Sequence, residues 1–467
     1  MTDAATLARI QFAFTVSFHI IFPTISIGLA LFLAVFEGLW LKTKDEVYLQ
    51  IYKFWLNIFA MAFGVGVVTG IVLSFEFGLG FAKFARLAGP VIGPMIGLEV
   101  LTSFFLEAGF LGIMLFGLNR VGPRLHFFAT CMVALGTILS ASWIMSANSW
   151  MQTPDGVAWE NGRIVVRDWW RVIVNPTWLV RLPHMLSAAY LTGSFLVAGV
   201  GAWYLLKKQH LAFARRTVSI GLAFATVLIA CQVFIGDILY GTMLKHQPTK
   251  MQAAEGFWDK QSASPAPYLW LIIPDQKGQS NRFEFGTPRL GSIWLTHSLD
   301  GRVEGLKNTP MTDQPYMGLV FYGFRVMYVI AIAMFTLAAV SLWLRWRGKL
   351  FSTRWFLITL AWMTPSGIFA TLGGWYLAET GRQPYVIYGL LRTVDAVSPV
   401  PAGTLLTSLI AFIAIYSIFF IAFLVFVLRA IRRGPNESVE IPVPSGSLKR
   451  ALRPKIIGSA LGEKPNS

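Results

Sequence analysis

The sequence predicts an all-α, polytopic membrane protein with nine transmembrane helices, its N-terminus outside and its C-terminus cytoplasmic. Three observations predict it. The chain is 55% hydrophobic and only 13% charged over 467 residues, against about 25% charged in soluble domains. Its apolar residues gather in runs of about 20 or more, the length that crosses a hydrocarbon core of ~30 Å. Clusters of basic residues follow every other run, as the positive-inside rule requires of a chain threaded back and forth.

In order, the spans cover residues 12–40, 52–77, 91–118, 125–147, 178–206, 217–241, 316–343, 354–378 and 402–430. The segment "MTDAATLARIQFAF" has no basic n-region and no small-residue cleavage site, so the first run reads as a permanent span and not a signal peptide. Lys42, Lys44 and Lys53 follow span one, and Arg120 and Arg124 follow span three. Lys207, Lys208, Arg215 and Arg216 follow span five; Arg345, Arg347, Lys349 and Arg354 follow span seven; Arg429, Arg432 and Arg433 close span nine. These loops share one side, which the rule assigns to the cytoplasm. Residues 1–430 form one membrane domain. Its longest loop, 242–315, then faces outside and is too long for a plain connector. Trp258, Tyr268, Trp270 and Trp294 argue for order within it. Residues 431–467 read as a polar, Pro-rich cytoplasmic tail, disordered and with some affinity for anionic lipid.

The net charge of +16 invites a nucleic-acid reading. The placement of the basic residues in short loops between spans excludes it. Cys131 and Cys231 both fall in apolar runs and read as small core residues. A disulfide framework does not follow, and no C-x-x-C-H run exists for covalent haem attachment.

Ionisable groups inside spans are costly and commonly functional. His19 lies inside span one and His184 near the start of span five, whereas His126 reads as a cytoplasmic span end and His210, His246 and His297 as loop residues. Met327 alone reads as core, but Arg325 two residues earlier needs an anion, and span seven has no carboxylate. Alternating spans put His19, His184, Met327 and Glu379 in the outer half of the membrane. A His plus Met pair is a haem ligand set suited to electron transfer, and a single His or carboxylate leaves an iron position open. Span three carries Glu99 and Glu107, eight residues apart. On a regular helix that is roughly 80° around and about 12 Å along, loosely one face, and a buried carboxylate pair reads as protonated or as a proton relay.

The motifs add a resemblance. "GWYLAETGRQP", "VTGIVLSFEFG", "ANSWMQTPDG", "HQPTKMQAAEG" (246–256) and "FRVM" stand in this order. Together they resemble subunit I of the cytochrome bd family of quinol oxidases over nearly the whole chain. Tyr385 departs from the family signature, which carries Trp there; the change touches packing around Glu379 and removes no ligand. The loop of about 74 residues resembles the short-loop branch, and "YGLLRTVDAVSP" resembles its cyanide-insensitive members.

The resemblance implies a terminal oxidase subunit in a bacterial inner membrane. It would oxidise quinol, ubiquinol by expectation, at the outer face and reduce O2 to water with cytoplasmic protons. His184 and Met327 would hold a low-spin haem b. His19 and Glu379 would each hold one of two high-spin groups: a haem b, and a haem d or further haem b at the oxygen site. Glu99 and Glu107 would serve oxygen chemistry and proton supply, and Lys250 and Glu255 would bind quinol. Arg325 and Arg382 would answer haem carboxylates. Oxidase subunit II is the implied partner, with room in the family for a small third subunit. Two rivals stand beside this reading. A cytochrome b-like carrier without oxygen chemistry commonly pairs histidines about 13–14 residues apart on two spans, a spacing absent here. A proton-coupled transporter would explain the buried carboxylates but would carry no haem.

Overall fold

A computed structural model describes residues 3–262 and 265–436. The expected tail therefore lies outside the described residues from position 437 onward. Among the described residues, eight helices are long and apolar enough to cross a membrane, and a ninth span is broken in two and bent by 43°. In chain order the helices are α1 (Ala4–Thr43), α2 (Glu46–Gly80), α3 (Ala82–Glu99), α4 (Phe105–Phe116), α5 (Pro123–Gln152), α6 (Trp169–Ile173), α7 (Trp178–Lys207) and α8 (Leu211–His246). There follow α9 (Pro248–Glu255), α10 (Leu290–Thr296), α11 (Met317–Trp346), α12 (Arg354–Trp362), α13 (Ser366–Thr380), α14 (Thr393–Ala396) and α15 (Ala402–Arg433). A π-turn, Val100–Phe104, joins α3 to α4 as one span, and α12 with α13 is the broken one.

The bundle is organised on α7, the most buried of the spans. Small residues let its neighbours approach to backbone contact. A Cβ added at Gly193 would lie 2.8 Å from the backbone of Gly28 in α1. One added at Gly221 in α8 would meet Ala198 and Ser194, and one at Gly367 in α13 would meet Thr192. The largest apolar core fills the cytoplasmic half by the expected orientation, around Phe32, Phe36, Tyr52, Trp55, Phe59, Phe195 and Tyr204.

The described part of the loop between α8 and α11 is folded, as its aromatic residues suggested. It holds α9, the antiparallel hairpin β3 (Tyr268–Asp275) with β4 (Ser280–Thr287), and α10. Tyr268, Trp270, Trp294 and Tyr328 stack at its base, with centroids 4.8–6.3 Å apart.

Several expectations are corrected. Span three begins at Ala82 rather than near Val91: Pro90 and Pro94 sit inside α3, and a membrane bundle tolerates such breaks where neighbours satisfy the freed groups. Lys53 lies within α2, and His246 ends α8. Cys231 is exposed on the outside of the bundle, not core. His126 is fully buried: Nδ1 lies 2.6 Å from Glu37 Oε1, and Thr130 Oγ1 donates 2.5 Å to the other oxygen. Helix α5 starts at Pro123, so its first turn packs inside the bundle against α1.

Candidate functional site

Two backbone crossings position the site. Gly28 and Gly193 bring α1 and α7 together, and His19 and His184 each lie nine residues before their crossing glycine. Both helices run the same way, so both imidazoles sit about 13.5 Å above the crossing, at one depth. Gly323 and Gly373 bring α11 onto α13: a Cβ at either would come within 2.8 Å of the other's carbonyl oxygen. That crossing carries Met327 and Glu379 toward the same place.

The result is a chamber of about 1580 Å³. Single-ligand pockets rarely exceed ~1,000 Å³, so this one has room for more than one large group. His19, His184, Met327, Glu379, Glu99, Glu107, Lys250 and Arg382 all line it. Arg325 and Glu255 do not line it.

His19 Nδ1 lies 2.9 Å from Thr69 Oγ1, whose single proton goes to the Val65 or Gly66 carbonyl. Nδ1 is therefore the donor, which leaves Nε2 as the lone-pair nitrogen a metal requires. His184 Nδ1 is buried with no hydrogen-bond partner among the described residues, while the Gln232 amide lies 3.2 Å from Nε2. The Met327 sulfur faces Gly374, where an added Cβ would lie 2.9 Å away.

Glu379 is the most heavily bonded of the four. Oε1 accepts from Asn148 Nδ2 at 2.9 Å and Gln152 Nε2 at 3.2 Å, and Oε2 pairs with Arg382. Arg382 is buried, and its Nε and Nη1 have no partner among the described residues. Arg181, also buried, donates 2.6 Å to Asn148 Oδ1 and 2.9 Å to Ser149 Oγ. Two guanidiniums thus face one carboxylate, with orphaned N–H groups left over.

The carboxylates of span three are better aligned than a regular helix allows. A π-turn takes up one extra residue, so the eight residues from Glu99 to Glu107 advance as about seven. The angle between them falls from about 80° to about 20°. Glu99 accepts from Ser140 Oγ at 2.7 Å, and Glu107 packs against Gly136, both on α5.

Lys250 and Glu255 are separated into two clusters. Lys250 Nζ donates 2.5 Å to Gln152 Oε1 beside Glu379. Burial, then the neighbouring Arg181, pull its ammonium well below the ordinary lysine range against the pull of Glu379. Glu255 accepts 3.3 Å from Arg325 Nη2, which supplies the anion span seven lacks. Arg325 also donates to Leu269 O at 2.6 Å and Ala254 O at 3.2 Å, and its guanidinium lies 4.4 Å from the Tyr268 ring centroid. Burial raises the Glu255 carboxyl, and Arg325 opposes that rise. Glu255 Oε1 and the Tyr268 hydroxyl are buried without partners among the described residues.

Sequence reasoning passed over Arg181, Asn148 and Gln152. Arg181 had a usable signal, a guanidinium three residues before His184 in "VRLPHML", the same pattern that singled out Arg325. The two amides had a motif signal, since both stand in "ANSWMQTPDG", but a neutral side chain in a span is not costly enough to stand out by its own chemistry.

The site fits haem on its own observations. Two imidazoles and a thioether facing a glycine are iron-donor types, and they line the chamber; orphaned guanidinium N–H groups answer carboxylates. The fold and this chamber define a polytopic membrane protein built to hold haem. The sequence model for "Cytochrome bd terminal oxidase subunit I" matches residues 7–435, and the chain belongs to that family. It is the haem-bearing subunit of a bacterial inner-membrane quinol oxidase, with subunit II as partner and quinol and O2 as substrates. Cytochrome bd ubiquinol oxidase subunit 1 of Bacillus subtilis is 35% identical, covering 92% of this chain and 93% of its own. Cytochrome bd-II ubiquinol oxidase subunit 1 of Escherichia coli is 30% identical, covering 88% and 93%. The solved bd oxidase from Geobacillus thermodenitrificans superposes with a TM-score of 0.86 at 29% identity, covering 93% of this chain and 99% of that one.

Proposed function

We propose that His184 and Met327 hold a low-spin haem b, and that His19 and Glu379 each hold one of two high-spin haems. One of these is a haem b and the other a haem d or further haem b at the oxygen site. The observation that carries the reading is the lining of one chamber by all four donors. When bound, haem supplies one-electron carriage and an open iron position for O2. Thr69 holds the His19 tautomer, and Asn148, Gln152 and Arg382 orient Glu379. Arg382 offers its free N–H groups to haem carboxylates, and Arg181 adds a second guanidinium there.

Quinol, by likeness to the relatives' names ubiquinol, is oxidised at the outer face between α9 and the hairpin. Lys250 orients it, and Glu255, held by Arg325, accepts a proton from it. Arg325 thus serves the quinol side first, with any haem carboxylate contact secondary. Glu107 takes protons from the cytoplasmic side and passes them to Glu99, which Ser140 holds toward the chamber. Residues 1–430 make the haem domain, with 242–315 its external quinol loop, and a small third subunit completes the complex beside subunit II. A reduced-minus-oxidised spectrum of the purified complex tests this. A low-spin b band with high-spin components is expected, and a long-wavelength band separates haem d from haem b. A spectrum without haem would overturn the reading.

A further inference from the structure

Asn148 and Gln152 lie one turn apart on α5 and repeat one arrangement. Asn148 donates 2.9 Å to Glu379 Oε1 and accepts 2.6 Å from Arg181. Gln152 donates 3.2 Å to the same oxygen and accepts 2.5 Å from Lys250 Nζ. Each amide is a neutral bridge between one carboxylate and one basic side chain.

Gln152 is the more constrained bridge. It is 0% exposed. Its Nε2 also reaches Ala378 O at 3.3 Å, and its backbone carbonyl accepts from Gln247 Nε2 at 2.8 Å. The amide cannot flip without setting its carbonyl against a carboxylate and its NH2 against an amine. Hydrogen bonds in a chain of this kind polarise one another where the dielectric is low. A donor on the Gln152 carbonyl therefore strengthens the N–H that Glu379 receives at the other end.

We propose that Gln152 is a positioning residue that couples Lys250, on the helix opening the quinol loop, to the donor strength of Glu379 in the haem chamber. This rests on the proposed roles of Lys250 and Glu379. An anionic ligand that receives weaker hydrogen bonds is a stronger electron donor, and a stronger donor lowers the potential of the iron it holds. Lys250 makes no direct hydrogen bond to Glu379 among the described residues, so beyond the through-space pull between the two charges its effect on Glu379 passes through this amide.

The test is an optical redox titration of the purified complex carrying Lys250→Met, Gln152→Leu or both, analysed as a double-mutant cycle. Each single variant should lower the midpoint potential of one high-spin haem and leave the low-spin haem unchanged. Lys250→Met should also raise the quinol KM about tenfold, the loss expected for one charge-assisted hydrogen bond. On the Gln152→Leu background, Lys250→Met should add a clearly smaller potential shift than it causes alone, the remainder being the through-space effect of its charge. Additive shifts would overturn the coupling. A wild-type KM in Lys250→Met, or an unchanged high-spin spectrum in Glu379→Gln, would instead overturn the underlying assignments and this inference with them. If Gln152→Leu does not assemble, Gln152→Asn, one methylene too short to span both partners, enters the same cycle under the same criterion.

Discussion

Adjacent glycines at the α11–α13 crossing should respond in opposite ways to the same added methyl. A Cβ at Gly373 would lie 2.7 Å from the Gly323 carbonyl oxygen and 3.2 Å from Met327 N. Both are backbone atoms, so the helices must part. Ordinary contact begins at 3.4 Å, which requires at least 0.7 Å of separation. Overpacking of this kind costs ~1–3 kcal/mol, more than the ~1 kcal/mol of helix propensity that alanine gains over glycine. A Cβ at Gly374 would lie 2.9 Å from the Met327 sulfur. A thioether on rotatable bonds can swing away cheaply, so the propensity gain survives but the sulfur is displaced by ~0.5 Å or more. Gly373→Ala should therefore lower Tm and total haem content together. Gly374→Ala should keep Tm and total haem and alter only the low-spin haem band and its potential. The assays are thermal melting of the purified complex, haem extraction and reduced-minus-oxidised spectra. A wild-type low-spin spectrum in Gly374→Ala would refute the placement of Met327 at the iron, and a fully stable Gly373→Ala would refute the crossing.

Three further outcomes follow from the same structure. His184→Ala should abolish the low-spin band, and Met327→Leu should raise the spin state or lower the potential; an unchanged band in either removes that residue from the ligand set. Glu107→Leu should leave haem assembly and quinol reduction intact but slow the late, proton-coupled phase after O2 binding, seen as an isotope-sensitive phase in flow-flash kinetics in ordinary and deuterated water; wild-type rates would mean that protons enter elsewhere. Glu255 accepts a proton only when ionised, so quinol kcat/KM should fall as pH drops through its raised folded value. Arg325 holds that value down, so Arg325→Met should move the acid limb to higher pH; a stationary limb would show that another group sets it.

Much of this protein was legible in the chain itself. The number of spans, their order and the basic loops follow from hydropathy and charge, which are local properties that a bilayer reads directly. His19, His184 and Glu379 stood out because an ionisable donor inside a span has few bland explanations, whereas Met327 read as core until the "FRVM" resemblance singled it out. What the chain alone did not determine was partnership. Glu255 finds Arg325 across 70 residues and Lys250 finds Gln152 across 98, so a pair read as one quinol site is divided between two clusters. Asn148 and Gln152 meet Glu379 across 231 and 227 residues, and a neutral amide carries no desolvation signal to announce the meeting. The π-turn that aligns Glu99 with Glu107 was equally hidden, because its extra residue looks like any other in an apolar run. Local chemistry says which groups must be satisfied; only the backbone crossings at Gly28–Gly193 and Gly323–Gly373 decide which distant groups satisfy them.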